Sequence, residues 1–211
     1  IKFMTDFTNT PELSESTETA IAYSTGCASF LYVVLFSGGR TSAFLAKYMK
    51  EHPHYKNCIF VFMNTGKERE ETLQFADKCD KEFGLNLVYL EALVNNEKGK
   101  GTTYKIVDFE TASRNGEPFE EMLSVLGIPC SSAPFCSDQL KRKPIEKYLK
   151  SIGWKGYWKA IGIRVDEIDR MNENRVKKKI LYPLVKEFPT KKIEILNWWK
   201  NNSFDLTIPL N

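Results

Sequence analysis

The stretch Val33-Val34-Leu35-Phe36-Ser37-Gly38-Gly39-Arg40-Thr41-Ser42-Ala43-Phe44-Leu45 decides the fold. Its apolar opening reads as a buried strand, Ser-Gly-Gly stops it, and Ala43-Phe44-Leu45 begins the apolar stripe of a helix. Adjacent glycines let the main chain approach a ligand without Cβ interference, and the helix behind them aims free N–H groups and its positive dipole end at the same point. Ser37, Thr41 and Ser42 add hydroxyls, and Arg40 adds a fixed charge with bidentate reach to phosphate or sulfate. The plain alternative is a turn that needs glycine for shape and a hydroxyl for capping. Neither the dinucleotide fingerprint G-x-G-x-x-G nor the Walker A loop fits these residues.

Outward from this turn the pattern alternates. Residues 31–36, 58–63, 86–90 and 157–163 read as strands, and residues 42–50, 68–83, 117–126, 138–151 and 191–201 as helices. The alternation predicts an α/β fold with a doubly wound, mostly parallel sheet and helices on both faces. Residues 95–115 are polar and rich in Gly and Lys, which reads as a long loop. Residues 1–30 read as an N-terminal arm or short helix, and 31–211 as one domain.

The totals exclude several classes. A chain of 211 residues that is 42% hydrophobic can bury one sizeable core, and a net charge of +3 does not by itself argue for nucleic acid. Five unevenly spaced cysteines suit a reducing compartment rather than a disulfide scaffold. The uncharged stretch from Ala20 to Gly39 is broken by Tyr23, Ser24, Thr25, Gly26 and Ser29, and acidic Asp6, Glu12, Glu15 and Glu18 precede it. A soluble cytoplasmic protein without a membrane span or signal peptide is therefore expected. His52 and His54, the two histidines, fall in a Pro-containing turn at the far end of the strands. Cys130 and Cys136 do not form a C-x-x-C pair, so neither zinc nor an iron–sulfur cluster is expected, and no metal ligands are assigned.

In open parallel sheets the ligand lies beyond the carboxyl ends of the strands, where strand order reverses. Ser37, the run Asn64-Thr65-Gly66 and the run Gly162-Ile163-Arg164 all end strands and would converge there. Thr65-Gly66-Lys67-Glu68 has the form of a capping box, which leaves Asn64 and Gly66 to meet adenine or ribose. Lys141, Arg142 and Lys143 follow Cys136 at a helix start; they cannot all face inward, and Lys141 is the candidate for the crevice. Arg164 or Arg170 would clamp an anion, unless Asp166, Glu167 and Asp169 hold them in a surface network. Were those carboxylates free, a magnesium ion would suit them. Arg175-Val176-Lys177-Lys178-Lys179 offers a small basic patch for nucleic acid or, more simply, a solvated face.

Together, Ser37-Gly38-Gly39-Arg40-Thr41-Ser42, Asn64-Thr65-Gly66-Lys67-Glu68 with Glu71-Thr72, Cys136 with Leu140-Lys141 and Pro144, Gly162-Ile163-Arg164-Val165-Asp166-Glu167 with Arg170, and Tyr182-Pro183-Leu184 resemble the phosphoadenosine phosphosulfate reductase family. That family lies within the PP-loop superfamily, and the likeness is to its divergent phage-type members. The resemblance implies an adenine nucleotide α-hydrolase-like fold, a five-stranded sheet in the order 3-2-1-4-5, and a phage-encoded protein in a host cytoplasm. It implies ATP or phosphoadenosine phosphosulfate as ligand, with residues 37–42 at the phosphate or sulfate end and Asn64, Thr65 and Gly66 at the nucleotide. Lys141, Arg164 and Arg170 then meet anionic groups, and Arg40, Lys141 and Arg164 are the candidate catalytic residues. Many relatives carry Lys-Asp where Arg40-Thr41 stands, and no cysteine follows Cys136. Because reduction needs a thiolate nucleophile, cleavage between the α and β phosphates of ATP is the favoured expectation. A non-catalytic nucleotide-binding module in a nucleic-acid-modification or phage–host system is the alternative. The acceptor and any homo-oligomeric state are left open.

Overall fold

In the computed structural model, residues 30–95, 97, 100–130 and 135–207 are described, and the arm read at residues 1–30 lies almost wholly outside them. Six strands form one sheet: β1 (Tyr32–Phe36), β2 (Cys58–Asn64), β3 (Val88–Val94), β4 (Thr102–Val107), β5 (Trp158–Ala160) and β6 (Ile180–Leu181). Their order is β4-β3-β2-β1-β5-β6, with every neighbouring pair parallel except β3 and β4. The helices are α1 (Arg40–Glu51), α2 (Glu70–Phe83), α3 (Glu117–Leu126), α4 (Lys143–Ser151), the single turn α5 (Pro183–Lys186) and α6 (Lys192–Lys200).

Both faces of the sheet are apolar because side chains alternate along each strand. Tyr32, Val34 and Phe36 of β1, with Phe60 and Phe62 of β2, pack toward Phe44, Leu45 and Met49 of α1, Leu73 of α2, and Ile195 and Trp199 of α6. Val33, Val61 and Met63 point the other way, onto Ile145 and Leu149 of α4. Met122 of α3 joins Ala92, Val94 and Leu140 at the carboxyl end of β3. Burying such a side chain contributes about 1.5–3 kcal/mol, so the two layers hold the sheet from both sides.

The expected order 3-2-1-4-5 is present as β3-β2-β1-β5-β6, but the sheet has six strands rather than five. The sixth is β4, inside the segment read as a long loop. It pairs antiparallel with β3 from Tyr89↔Val107 to Val94↔Thr102. Its Thr-Thr-Tyr-Lys-Ile-Val sequence favours a strand, but at the sheet border it needs no continuous apolar run. Boundaries shift elsewhere as well. α1 begins at Arg40, β3 runs Val88–Val94, and a single π turn (Asp138–Arg142) precedes α4. Among the described residues, no helix is long and apolar enough to cross a membrane.

Candidate functional site

The order of β2, β1 and β5 creates the switch point. From β1 the chain first adds strands on one side and later returns to place β5 on the other, so strand order reverses beside β1. Gly38 makes the first turn with φ +76°, and an added Cβ there would lie 2.4 Å from Thr72 Cγ2 of α2. Gly39, the residue before α1, has φ −101°, and only Ser37 Oγ, at 3.8 Å, would lie near its Cβ. The first glycine is thus needed for packing, while the second leaves open space.

Ser42 holds the loop from within. Its hydroxyl accepts from Ser37 N–H (3.1 Å) and Ser37 Oγ–H (3.0 Å) and donates to Gly39 O (2.9 Å), which uses its whole hydrogen-bonding capacity. Among the described residues, the N–H groups of residues 38–42 find no acceptor, whereas Ala43 N–H already donates to Gly39 O at 3.0 Å. This leaves five consecutive main-chain donors unmet at a strand-to-helix turn.

Arg164, reached from β5, crosses to this turn. Its Nη1 donates to Thr41 Oγ1 at 3.0 Å, and the guanidinium also pairs with Asp166 (3.0 Å) and Glu167 (3.2 Å). Gly162 lets the two segments approach, since an added Cβ would sit 3.4 Å from Ser42 Cα. Asp166 additionally accepts from Lys192 N–H at 3.1 Å, and the Arg164 guanidinium holds its carboxyl below the usual carboxylate range. Arg170 is largely exposed and pairs with Glu167 at 2.5 Å. Arg164 therefore belongs to the surface network and also reaches Thr41 of the turn, while Arg170 belongs to the network alone. With Asp166 and Glu167 committed to cations, these carboxylates do not fit a resident magnesium ion.

Arg40 is placed differently from the sequence expectation. Its Nε and Nη2 meet the two oxygens of Asp205 at 2.6 and 2.9 Å, and Nη2 also reaches Leu206 O. Trp199 Nε1–H donates to Arg40 O at 3.1 Å. The first residue of α1 thus fastens the C-terminal segment, and nothing in the sequence marked Asp205.

At the end of β2, Asn64 is fully buried and engaged inside the protein. Its Nδ2 donates to Glu91 Oε1 (2.7 Å) and Ser113 O (2.8 Å), and its Oδ1 accepts from Gly66 N–H at 3.1 Å. Buried Glu91 also accepts from Ser113 N–H (2.6 Å) and Ser113 Oγ–H (2.9 Å). Gly66, with φ +75°, faces the main chain of Gly116, whose Cα would lie 2.9 Å from an added Cβ. Asn64 and Gly66 therefore brace the strand end against the segment leading into α3. A buried Glu in β3 was the available signal for this brace. The Thr65–Glu68 capping box is half formed: Glu68 Oε2 takes Thr65 N–H at 2.9 Å, while Arg69 occupies the N-cap of α2.

Lys141 is exposed on the π turn that leads into α4, at the carboxyl edge of the sheet but on the α4 face. Cys79 is buried and Cys58 half-buried; burial pushes the Cys58 thiol up to about 12, and Cys79 shifts in the same direction. Neither is a thiolate near neutrality. Buried His52 lies at the opposite edge, beyond α1.

The family described as phosphoadenosine phosphosulfate reductase domain matches residues 31–202, which include the turn, the β2 end, the π turn and the Arg164 segment. The chain belongs to this family. The protein is 37% identical over 182 residues to an uncharacterised nin-region protein of Escherichia phage lambda, covering 84% of this chain and 61% of that protein. It is 25% identical over 145 residues to an uncharacterised protein of Methanocaldococcus jannaschii, covering 68% of this chain and 25% of that one. The chain thus spans less than two thirds of the length of these curated relatives. Among solved structures it is similar to a phosphoadenylyl-sulfate reductase from Candida auris in a phosphate complex, with TM-score 0.48 and 13% identity over 92% of this chain and 82% of that one.

Proposed function

We propose that this protein binds an adenine nucleotide, ATP or phosphoadenosine phosphosulfate, across the carboxyl edge of β2, β1 and β5 and acts at its phosphate or sulfate end. The observation that carries the reading is the turn at residues 38–42, whose five N–H donors find no acceptor among the described residues, with a cation, Arg164, brought beside Thr41. Fixed main-chain donors and a guanidinium suit the developing charge of phosphoryl chemistry and need no protein nucleophile. With ATP, the reaction is attack of an acceptor on the α phosphate, with the α–β bond breaking and pyrophosphate leaving. Lys141 supplies a second charge from the α4 side. Arg40 becomes available to the ligand when Asp205 releases it, and Thr65 lies nearest the nucleoside end. Ser42, Asn64 and Gly66 shape the site from behind.

Side-by-side calorimetric titration with ATP and phosphoadenosine phosphosulfate tests the reading. Micromolar binding of either supports it, and a Gly39→Val variant should lose at least about tenfold in affinity while remaining folded. Pyrophosphate release identifies the adenylating reaction, and sulfite release with a thiol donor identifies reduction. Binding with neither product leaves a nucleotide-binding module. Absence of binding to either ligand, or full affinity in the Gly39 variant, moves the site elsewhere.

A further inference from the structure

Two segments distant in sequence concentrate the positive charge. Residues 147–159 (Lys-Tyr-Leu-Lys-Ser-Ile-Gly-Trp-Lys-Gly-Tyr-Trp-Lys) and 174–180 (Asn-Arg-Val-Lys-Lys-Lys-Ile) carry eight cations and no carboxylate. The whole chain carries +3, so everything outside them totals −5.

The fold joins these segments. Lys159 N–H donates to Lys179 O at 2.8 Å, Lys179 Nζ reaches Gly156 O at 3.4 Å, and Trp154 N–H ties the same turn to Leu149 O of α4 at 2.8 Å. The turns that enter β5 and β6 and the last turn of α4 therefore form one surface at the amino edge of the sheet, opposite the nucleotide crevice. Lys147, Lys150, Lys155, Lys177, Lys178 and Lys179 are exposed, and among the described residues none of these lysines forms an ion pair. The flanking carboxylates are Glu146, held by Arg142 at 2.7 Å, and exposed Glu173. Trp154 and Tyr157 lie half-buried between the lysines.

Edge protection does not account for the cluster, because β6 is two residues long and the lysines precede it. Nor does the surface suit a lipid bilayer. A membrane-surface helix lays an apolar face into the headgroups, whereas α4 turns Ile145 and Leu149 into the core. A concentration of exposed lysines without carboxylate partners among the described residues matches a chain of repeating phosphates, and the half-buried Trp154 and Tyr157, packed on the core, border it.

We infer that the amino edge formed by residues 147–159 and 174–180 binds the phosphodiester backbone of a nucleic acid. The inference is independent of the nucleotide crevice.

The test is fluorescence anisotropy of the full chain with labelled single-stranded DNA, its duplex and the matching RNA, between about 50 and 200 mM salt. Binding at low salt should weaken as salt rises, with a log–log slope of about −0.7 per phosphate neutralised on a single strand and about −0.9 on a duplex. Lys177→Glu with Lys178→Glu should lower affinity at least about tenfold and flatten the slope by roughly 2, while Lys105→Glu on β4 changes neither. Should the double variant not fold, Lys150→Gln with Lys155→Gln reads the same surface. Nucleotide affinity at the crevice should be unchanged in all of them. No binding at low salt, equal losses from the Lys105 control, or tighter binding to phosphatidylserine vesicles than to any nucleic acid overturns the inference. The three nucleic-acid arms identify which backbone is preferred.

Discussion

Gly38 and Gly39 are neighbours in sequence with opposite consequences. Any side chain at Gly38 meets both a φ of +76° and Thr72 Cγ2 at 2.4 Å, so Gly38→Ala should cost about 1–3 kcal/mol in urea denaturation. At Gly39 the backbone already suits an L-residue and the space is open, so loss of binding in Gly39→Val reports on the ligand rather than on folding. His52 belongs at this scale too. Burial, reinforced by His54, lowers its pKa from the ordinary value near 6.5, so the folded state resists a proton that the unfolded chain accepts. Its contribution is full above about pH 6.5 and falls as the pH drops through that value toward the lower folded one. Denaturation between pH 5 and 8 should show this decline, and His52→Phe should flatten it.

Elements are held in place by partners that lie far away in sequence. Glu91 of β3 collects Asn64 from β2 and Ser113 from the segment before α3, so Glu91→Ala removes the acceptor of three donors, one of them on the buried Asn64, and should cost about 2–4 kcal/mol by chemical denaturation. Glu91→Gln keeps an acceptor and should cost less. Asp205 does for α1 what Glu91 does for β2. Replacing it with Asn removes the charge from the Arg40 pair, so residues 201–207 should exchange amide hydrogens faster. The freed guanidinium should raise nucleotide affinity by a few fold, about 1 kcal/mol, in the same titration. An unchanged affinity would assign the pair to tail anchoring alone. Partners such as Asp205 and Ser113 carry no local signature, because a hydrogen bond spanning 165 residues leaves no periodicity in the chain. β4 was illegible for a related reason: half-solvated at the border of the sheet, it mixes polar and apolar residues that read equally well as a loop.

At the scale of the whole molecule, a ligand that binds only the folded state stabilises it by mass action. At a hundredfold excess over Kd this amounts to about 2.7 kcal/mol, or roughly 5–10 °C in Tm for a chain of this size. Differential scanning fluorimetry with ATP should show the rise in the wild type and lose it in Gly39→Val. The sequence by itself determined the strand–turn–helix at residues 33–45 and the strand–helix alternation that makes the central strands parallel, while their order was implied by the family resemblance. The turn and the alternation follow from local period and from glycine's conformational freedom, which any window of the chain displays. Only the tertiary structure decided which candidates face outward and which are already engaged. Asn64 and Ser42 are spent within the protein, Arg40 is held by Asp205, and Arg164 is carried to Thr41. A polar side chain's availability depends on every donor and acceptor around it, and folding brings those groups from remote parts of the sequence.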